Sequence, residues 1–257
     1  MNAAMKSDLL VSPARPPLNR RLTAEFLGTA LLVAVVIGSG IAAARLSPSD
    51  TGLQLLENSF ATALGLAVLI VALGPVSGAH FNPVVTLVDW FLGRRTGTGF
   101  PLQDVAPYVA AQIAGAIAGA VLANLMFDTP TAIATTDRAS GGALPAEIVA
   151  TAGLVLVIFA LARTGRGHIV APAVGAYIGA AYWFTSSTSF ANPAVTIGRI
   201  FSDTFAGIAP GSVLPFIGMQ VIGGAVGAAL VVALYPRTRR DRDDSTDVAA
   251  VTGSSQR

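Results

Sequence analysis

The sequence predicts an all-α membrane protein with six transmembrane helices and two short half-helices, arranged as an inverted repeat. Three observations lead to this prediction. Of the 257 residues, 53% are hydrophobic and only 12% are charged, and the mean hydropathy is +0.66, whereas soluble domains carry about 25% charged residues. Six apolar runs approach the length that crosses a bilayer. Two Asn-Pro pairs occupy equivalent places in the two halves of the chain.

The six apolar runs define the spanning elements, since a hydrocarbon core of about 30 Å requires roughly 20 helical residues. In chain order they are Leu22–Ala44, Leu53–Leu73, Val105–Phe127, Leu144–Ala162, Val170–Phe184 and Leu214–Tyr235. Two shorter apolar stretches, after Asn82 and after Asn192, cannot cross alone. Glycine and alanine are dense in segments such as "AAQIAGAIAGA", which lets helix backbones pack closely.

The basic residues indicate how the chain is oriented. Most of them flank the same side of the predicted spans: Lys6, Arg15, Arg20, Arg21, Arg94, Arg95, Arg163, Arg166, Arg237, Arg239, Arg240 and Arg242. The other side has Arg45, Arg138 and Arg199. Because cytoplasmic loops are rich in Lys and Arg, both termini are predicted to be cytoplasmic. The tails, 1–20 and 237–257, are polar and are predicted to be disordered.

The two halves of the chain, about 21–128 and 143–236, resemble each other. Ala24-Glu25 corresponds to Ala146-Glu147, Asn82-Pro83 to Asn192-Pro193, and the helix bearing Gln112 to the helix bearing Gln220. Three spans per half is an odd number, so the second half must have inverted topology. Interrupted segments at equivalent places in inverted repeats indicate the binding site. The two Asn-Pro segments are therefore the predicted functional centre.

Each Asn-Pro pair has the chemistry of a helix start at mid-membrane. Asparagine is a good N-cap, and proline suits the first turn because its missing N–H would be unsatisfied there. Inverted topology brings the positive ends of the two half-helices face to face. The amides of Asn82 and Asn192 can then donate to a passing oxygen atom, while cations and protons meet a positive barrier.

With these motifs the chain resembles the aquaporin and glycerol-facilitator family (major intrinsic proteins). The resemblance rests on "SGAHFNPVVT" and "SFANPAVT", supported by "AEFLGT", "AAQIAGA" and "PAEIVAT". It implies an aquaporin-like channel domain over 21–236, a homotetramer with one pore per subunit, and a bacterial inner-membrane location. It also implies structural roles for four buried polar residues: Glu25, Glu147, Gln112 and Gln220.

The chain departs from the family pattern at the pore. The first triplet is Asn82-Pro83-Val84 rather than Asn-Pro-Ala, whereas the second is Asn192-Pro193-Ala194. The valine either adjusts the width of the pore or is a tolerated variation. Counted without gaps from the Asn-Pro motifs, the four filter positions are Thr62, Ala180, Ser189 and Val195. Valine replaces the usual arginine, so the filter is expected to be wide and weakly polar. This combination resembles bacterial aquaglyceroporins associated with arsenic-resistance operons.

Three charged or titratable residues near the pore leave alternatives open. Arg199 lies one helical turn after Val195 and either forms a positive outer vestibule or binds loop carbonyls or Asp203. His80 either lines the pore or responds to pH, since its reference pKa is about 6.5. Asp89 is expected to pair with Arg94 or Arg95.

These features favour a passive channel for small neutral solutes: glycerol, urea, arsenite or antimonite, and methylated arsenicals, with water as a co-permeant. A water-selective aquaporin is the first alternative, and a proton-coupled secondary transporter is the second. An enzyme is not expected, because the chain has no cysteine and two distant histidines. No cofactor, metal site or nucleic-acid partner is predicted; the partners are the lipid bilayer, the solutes and identical subunits.

Overall fold

The computed structural model describes residues 15–94 and 99–236, and all regular structure within them is helical. The helices are α1 (Leu18–Leu46), α2 (Thr51–Ser77), α3 (Pro83–Gly93), α4 (Leu102–Met126), α5 (Ala143–Arg163), α6 (Val170–Phe184), α7 (Pro193–Gly198) and α8 (Pro210–Leu234). Helix α1 begins three residues before the predicted domain start at residue 21. Residues 1–14 and 237–257 of the two tails that are predicted to be disordered lie outside the described residues.

Five helices, α1, α2, α4, α5 and α8, are long and apolar enough to cross a membrane. The sixth predicted span, α6, has 15 residues, which give a length of about 22 Å at ~1.5 Å per residue. A 3-10 turn at Gly167–Ile169 continues directly into it, adding about 6 Å at ~2.0 Å per residue. The two together approach the thickness of the hydrocarbon core, so α6 completes the set of six.

Helix packing follows the internal repeat. Helix α1 packs most extensively against α4 and α2, and α5 packs in the same way against α8 and α6. The half-helices cross between the halves: α3 contacts α8, and α7 contacts α4. Small residues allow this approach, because a Cβ at Gly119 would lie 2.1 Å from the Ala30 carbonyl oxygen and one at Gly227 2.7 Å from that of Ala152.

Val84, the departure from the usual triplet, packs in the interface between α3 and α8. It is buried in a cluster with Val88, Val155 and Ala228. A Cβ at Gly224 of α8 would lie only 2.4 Å from Val84 Cγ1. The added bulk of valine is therefore accommodated by a glycine opposite it. The side chain points toward α8 rather than into the space between the two Asn-Pro motifs.

This packing predicts a compensating pair of substitutions. Gly224→Ala should destabilise the protein by roughly 1–3 kcal/mol, the usual cost of overpacking a filled core, because the new methyl group clashes with Val84. Adding Val84→Ala should restore most of the loss. Thermal unfolding of the four variants in detergent measures the coupling.

Gly218→Ala is the matched control, because a Cβ there would meet no atom within 4 Å. Equal unfolding temperatures for Gly224→Ala and Gly218→Ala would contradict the proposed contact.

Candidate pore and filter

The segment before α3 is held by one buried carboxylate, Glu25 of α1. Its Oε1 accepts hydrogen bonds from Ser77 Oγ (2.7 Å) and the His80 amide (3.0 Å). Its Oε2 accepts from the Phe81 amide and from Gln112 Nε2, both at 2.7 Å. Glu25 is 0% exposed, and these four donors satisfy its charge without any contact with the pore.

Glu147 of α5 repeats the arrangement before α7. Its Oε1 accepts from the Phe190 amide (3.0 Å), and its Oε2 accepts from the Ala191 amide (2.9 Å) and Gln220 Nε2 (2.6 Å). Gln220 also donates to Thr196 Oγ1 (2.9 Å), just as Gln112 donates to Thr86 Oγ1 (3.0 Å) in the first half. The inverted repeat therefore extends to individual hydrogen bonds.

The two half-helices start head to head, and the two asparagines join them. Asn82 Oδ1 accepts from the Val84 amide (2.9 Å), and Asn192 Oδ1 accepts from the Ala194 amide (3.0 Å), so both are N-caps. Asn82 Nδ2 donates to the Ala191 carbonyl and Asn192 Nδ2 to the Phe81 carbonyl, each at 2.8 Å. Each amide has a second hydrogen, which remains for a solute.

The segments that lead into the half-helices adopt left-handed backbone conformations at non-glycine residues. The φ angles are +50° at Ala79 and +49° at Phe81, and +51° at Ser189 and +47° at Ala191. Such residues cost of order 1–3 kcal/mol each and persist only when the surroundings enforce them. The buried glutamates provide this constraint through their bonds to the amides of these same segments.

A narrow cavity of about 70 Å³ lies along the two Asn-Pro motifs, which is room for a few water-sized molecules. Its lining combines apolar side chains, such as those of Leu66, Ile178 and Val195, with the polar side chains of Asn82 and Asn192. At one end it opens into a vestibule of about 1100 Å³ that His80 and Asp89 line. We refer to this end as the His80 end and to the opposite end as the Arg199 end.

Thr62 lies at the constriction, but Ala180 does not, which corrects the gapless count. Ala180 is on an exposed face of α6, whereas Tyr182 lines the cavity and its hydroxyl is 3.2 Å from Thr62 Oγ1. Two residues correspond to about 200° around a helix, so a register error of two exchanges the pore face for the opposite one. Tyr182 therefore lines the cavity where Ala180 was predicted, and its side chain is larger.

Val195 and Ser189 both line the cavity. Val195 is 5% exposed and presents an apolar side chain at the first turn of α7. Ser189 Oγ is buried and has no hydrogen-bond partner among the described residues. The cavity lining therefore includes the apolar side chain of Val195 and the Ser189 hydroxyl, which has no hydrogen-bond partner among the described residues.

Two arginines surround Phe190 at the Arg199 end. The Cζ atom of Arg199 lies 3.5 Å from the centre of the Phe190 ring, and that of Arg138 lies 5.4 Å from it. Arg199 is 3% exposed, lines the cavity and donates from Nε to the Ala206 carbonyl. Of the two alternatives for its contacts, the loop carbonyl is present, whereas Asp203 accepts bonds from Thr135 instead.

Asp89 pairs with His80 rather than with Arg94, which corrects the expected ion pair. Asp89 Oδ2 is 3.2 Å from His80 Nε2, and His80 Nδ1 is 3.1 Å from Thr86 Oγ1. The Arg94 guanidinium instead lies over the Phe91 ring at 4.1 Å, and Arg95 is outside the described residues. His80 lines both the vestibule and the narrow cavity, so its polar contacts lie at their junction.

Sequence reasoning missed three residues of this site: Tyr182, Phe190 and Arg138. A signal was available for Tyr182, because an apolar helix face at Val174 and Ile178 continues at position 182 by i, i+4 spacing. Phe190 stands between two residues already singled out, Ser189 and Asn192. Arg138 had no comparable signal, because it lies in a long loop whose path depends on tertiary contacts.

Comparisons with known proteins agree with this architecture. The family described as Major intrinsic protein matches residues 14–189. The chain is 50% identical over 215 residues to Aquaglyceroporin AqpS from Rhizobium meliloti, covering 83% of this chain and 89% of that protein. It is 32% identical over 246 residues to the probable aquaporin AqpM from Archaeoglobus fulgidus, covering 85% and 96%.

Among solved structures, the X-ray structure of the aquaglyceroporin from Plasmodium falciparum matches with a TM-score of 0.61 and 22% identity. The match covers 84% of this chain and 96% of that one. At this identity the similarity concerns the fold, and it confirms the predicted all-α architecture of spanning helices and half-helices.

Proposed function

The chain belongs to the major intrinsic protein family, whose members are multi-pass membrane channels and not enzymes, and we propose that this channel conducts small neutral solutes together with water. The solutes we propose are glycerol, urea, and the neutral hydroxides of trivalent arsenic and antimony, with methylated arsenicals as larger candidates. The name of its relative, Aquaglyceroporin AqpS, supports the same class of channel.

The observation that carries this proposal is the mixed lining of the narrow cavity. Val195, Ile178 and Leu66 contribute apolar surface, and Thr62, Asn82 and Asn192 contribute hydroxyl and amide groups. A polyol has the same mixed character, with a carbon skeleton and several hydroxyl groups. Replacement of the usual arginine by Val195 removes five hydrogen-bond donors from the constriction. A solute that cannot bind all of those donors then passes without leaving them unpaired, which lowers the free-energy barrier to its passage.

The filter that we propose comprises Thr62, Tyr182, Ser189 and Val195, with the Asn82 and Asn192 amides at the centre. Solutes would pass Tyr182 on the Val195 side, because the Tyr182 hydroxyl is engaged with Thr62 on the other side. The neutral hydroxides As(OH)₃ and Sb(OH)₃ carry three hydroxyl groups, as glycerol does. These species can therefore use the same acceptor and donor positions.

A proton-coupled transporter finds less support. Coupling requires ionisable groups that face the transport path. Glu25 and Glu147 are 0% exposed and hydrogen-bonded to the half-helix segments, so they do not face the path. Two titratable groups that do line it at the His80 end, His80 and Asp89, contact each other. A channel should show a glycerol flux that is proportional to the gradient and insensitive to a proton uncoupler.

We further propose that the Arg199 end faces the periplasm of a bacterial inner membrane and that the chain forms a homotetramer. The described arginines at the His80 end include Arg15, Arg20, Arg94 and Arg166, and basic loops favour the cytoplasmic side. The exposed apolar face of α2, with Phe60, Leu64 and Val68, fits lipid or a neighbouring subunit.

The test is stopped-flow light scattering on proteoliposomes exposed to an inward gradient of glycerol, urea or arsenite. Shrinkage reports water permeability, and reswelling reports solute entry. We expect rapid reswelling with all three solutes relative to empty liposomes. Rapid shrinkage without reswelling would favour a water-selective pore, the alternative that the Thr62–Tyr182 contact supports.

A further inference from the structure

The charge at the Arg199 end is not balanced by protein. Within residues 15–94 and 99–236, no carboxylate lies within 4.0 Å of the Arg138 or Arg199 guanidinium. Both cations instead lie against the same ring, that of Phe190. Arg199 is buried and Arg138 is half-buried, and a buried cation with a like charge nearby is costly unless an anion accompanies it. The arrangement therefore leaves a position for an external negative charge.

The nearest acidic side chains of the surrounding loops are occupied elsewhere. Asp137 accepts hydrogen bonds from Ser212 Oγ (2.5 Å) and the Ala139 amide (3.0 Å), which lower the pKa of its carboxyl. Asp203 accepts from the Thr135 amide and hydroxyl, at 2.9 and 3.0 Å. Glu147 accepts the amides of the segment before α7. Glu147 therefore acts on Arg199 only electrostatically, from beyond ion-pair distance, and within the described residues none of the three forms an ion pair with either arginine.

The two guanidinium groups differ in what they leave free. Arg138 donates from Nε to the Gly207 carbonyl (2.6 Å) and from Nη2 to the Phe205 carbonyl (2.8 Å). These two bonds hold its guanidinium group in place. Arg199 uses Nε on Ala206. Its Nη1 and Nη2 have no hydrogen-bond partner in the described part of the chain and are not sealed from the cavity that Arg199 lines.

A second free group is directed to the same place. Ser189 lines the same cavity and is 4% exposed, and its Oγ is buried without a hydrogen-bond partner among the described residues. A buried hydroxyl normally finds a hydrogen bond. A small ligand that accepts from Arg199 could also accept from Ser189, which would satisfy both groups at once.

From this geometry we propose that the Arg199 end is a binding site for a small, planar, singly charged oxyanion, of the carboxylate or nitrate type. The free guanidinium edge of Arg199 offers two parallel donors, the geometry that matches a planar oxyanion. The volume of about 70 Å³ limits the size, and the apolar walls at Val195 and Phe190 disfavour a second charge. Arg138 adds attraction without direct contact.

An anion held there would occupy the solute path. This consequence rests on the proposed function, because the cavity that Arg199 lines is the proposed path for neutral solutes. The bound oxyanion would compete with glycerol at the Arg199 end. The binding itself does not depend on conduction, so the two can be measured separately.

The first measurement is the unfolding temperature of the purified full chain in a neutral detergent, titrated with sodium nitrate or sodium formate. Sodium gluconate, which is too large for the cavity, keeps the ionic strength constant. We expect a saturable rise in unfolding temperature with nitrate and formate, because a ligand that binds only the folded state stabilises it. A nitrate series indistinguishable from gluconate would overturn the proposal.

Three variants locate the site. Arg199→Gln should weaken the apparent nitrate affinity by about tenfold or more, the loss of one charged hydrogen bond. Arg199→Lys keeps the charge without the planar fork and should bind more weakly than the native protein but better than the glutamine variant. Arg45→Gln is the control, because Arg45 is exposed and bonded to the Phe127 carbonyl and Thr129. Equal nitrate affinity in all four proteins would contradict the site.

The second measurement is glycerol reswelling of neutral-lipid proteoliposomes with nitrate outside. Nitrate should inhibit native channels at the concentrations that raise the unfolding temperature. The same inhibition of Arg199→Gln channels should require a nitrate concentration that is higher by about tenfold or more. Channels that bind nitrate but conduct glycerol undiminished would overturn the competition. If native protein conducts no glycerol, the proposed function fails, while the unfolding series still decides the anion site.

Discussion

Glu25→Gln and Glu147→Gln are each expected to lower the stability of the protein by about 2–5 kcal/mol, and to abolish most conduction. Each glutamate accepts buried donors on both of its oxygens, including two backbone amides of the segment before a half-helix. Glutamine keeps the shape but turns one acceptor into a donor. Leaving buried donors unpaired costs about 1–3 kcal/mol each.

The loss should appear in conduction because the same bonds maintain the backbone that lines the pore. Ala79, Phe81, Ser189 and Ala191 all have positive φ angles, and a released segment would relax toward ordinary conformations. The carbonyls of Phe81 and Ala191 would then leave the amides of Asn192 and Asn82. Thermal unfolding in detergent and glycerol reswelling in proteoliposomes measure the two effects.

Glu57→Gln is the matched control, since Glu57 of α2 is half-buried, its Oε1 accepts one bond from Ser47 Oγ, and its Oε2 has no partner among the described residues that a glutamine could lose. Its unfolding temperature should change little. If Glu25→Gln and Glu147→Gln both unfolded within a degree of Glu57→Gln, the two glutamates would not be the constraint described above.

The half-helices could be predicted because their determinants are local and repeated. An asparagine N-cap and a proline in the first turn specify a helix start within three residues. The second copy, in a half with three spans, specifies the opposite direction. Glu25 and Gln112, with their counterparts Glu147 and Gln220, followed from the same repeat, although their shared partners Thr86 and Thr196 did not.

The filter residue on α6 could not be predicted by counting. Between α6 and Asn192 the chain passes through residues 185–191, where Thr188, Ser189 and Ala191 have positive φ angles. A gapless count assumes that this loop has the same number of residues as in the family, whereas loops tolerate insertions and deletions. An error of two residues then exchanges Tyr182 for Ala180, on nearly the opposite side of the helix.

Arg138 was unpredictable for another physical reason. It lies in the loop 127–142, whose path is fixed by backbone bonds to distant parts of the chain, such as Ala134 to Ile200 (2.8 Å) and Ala209 to Thr136 (2.7 Å). Nothing local to the loop specifies these bonds. Burial among the carbonyls of residues 205–207 also lowers the pKa of Arg138, a consequence of tertiary structure alone.

Val195→Arg is expected to reduce glycerol and arsenite permeability by roughly tenfold or more, which corresponds to a barrier increase of about 1.4 kcal/mol, while water permeability changes much less. The new side chain would occupy space in the narrow cavity that Val195 and Tyr182 both line. It would add five donors that a single water can satisfy more easily than a larger solute. It would also stand one helical turn from Arg199, where two like charges repel.

Val195→Leu separates the causes, because it adds bulk without charge. If size alone sets selectivity, leucine and arginine should reduce glycerol permeability to a similar extent. If fixed donors and charge matter, arginine should have the larger effect, and Val195→Arg combined with Arg199→Gln should fold better than Val195→Arg alone. Unchanged glycerol and arsenite uptake in Val195→Arg would mean that Val195 does not line the limiting constriction, and that Tyr182 with Thr62 sets the size limit elsewhere.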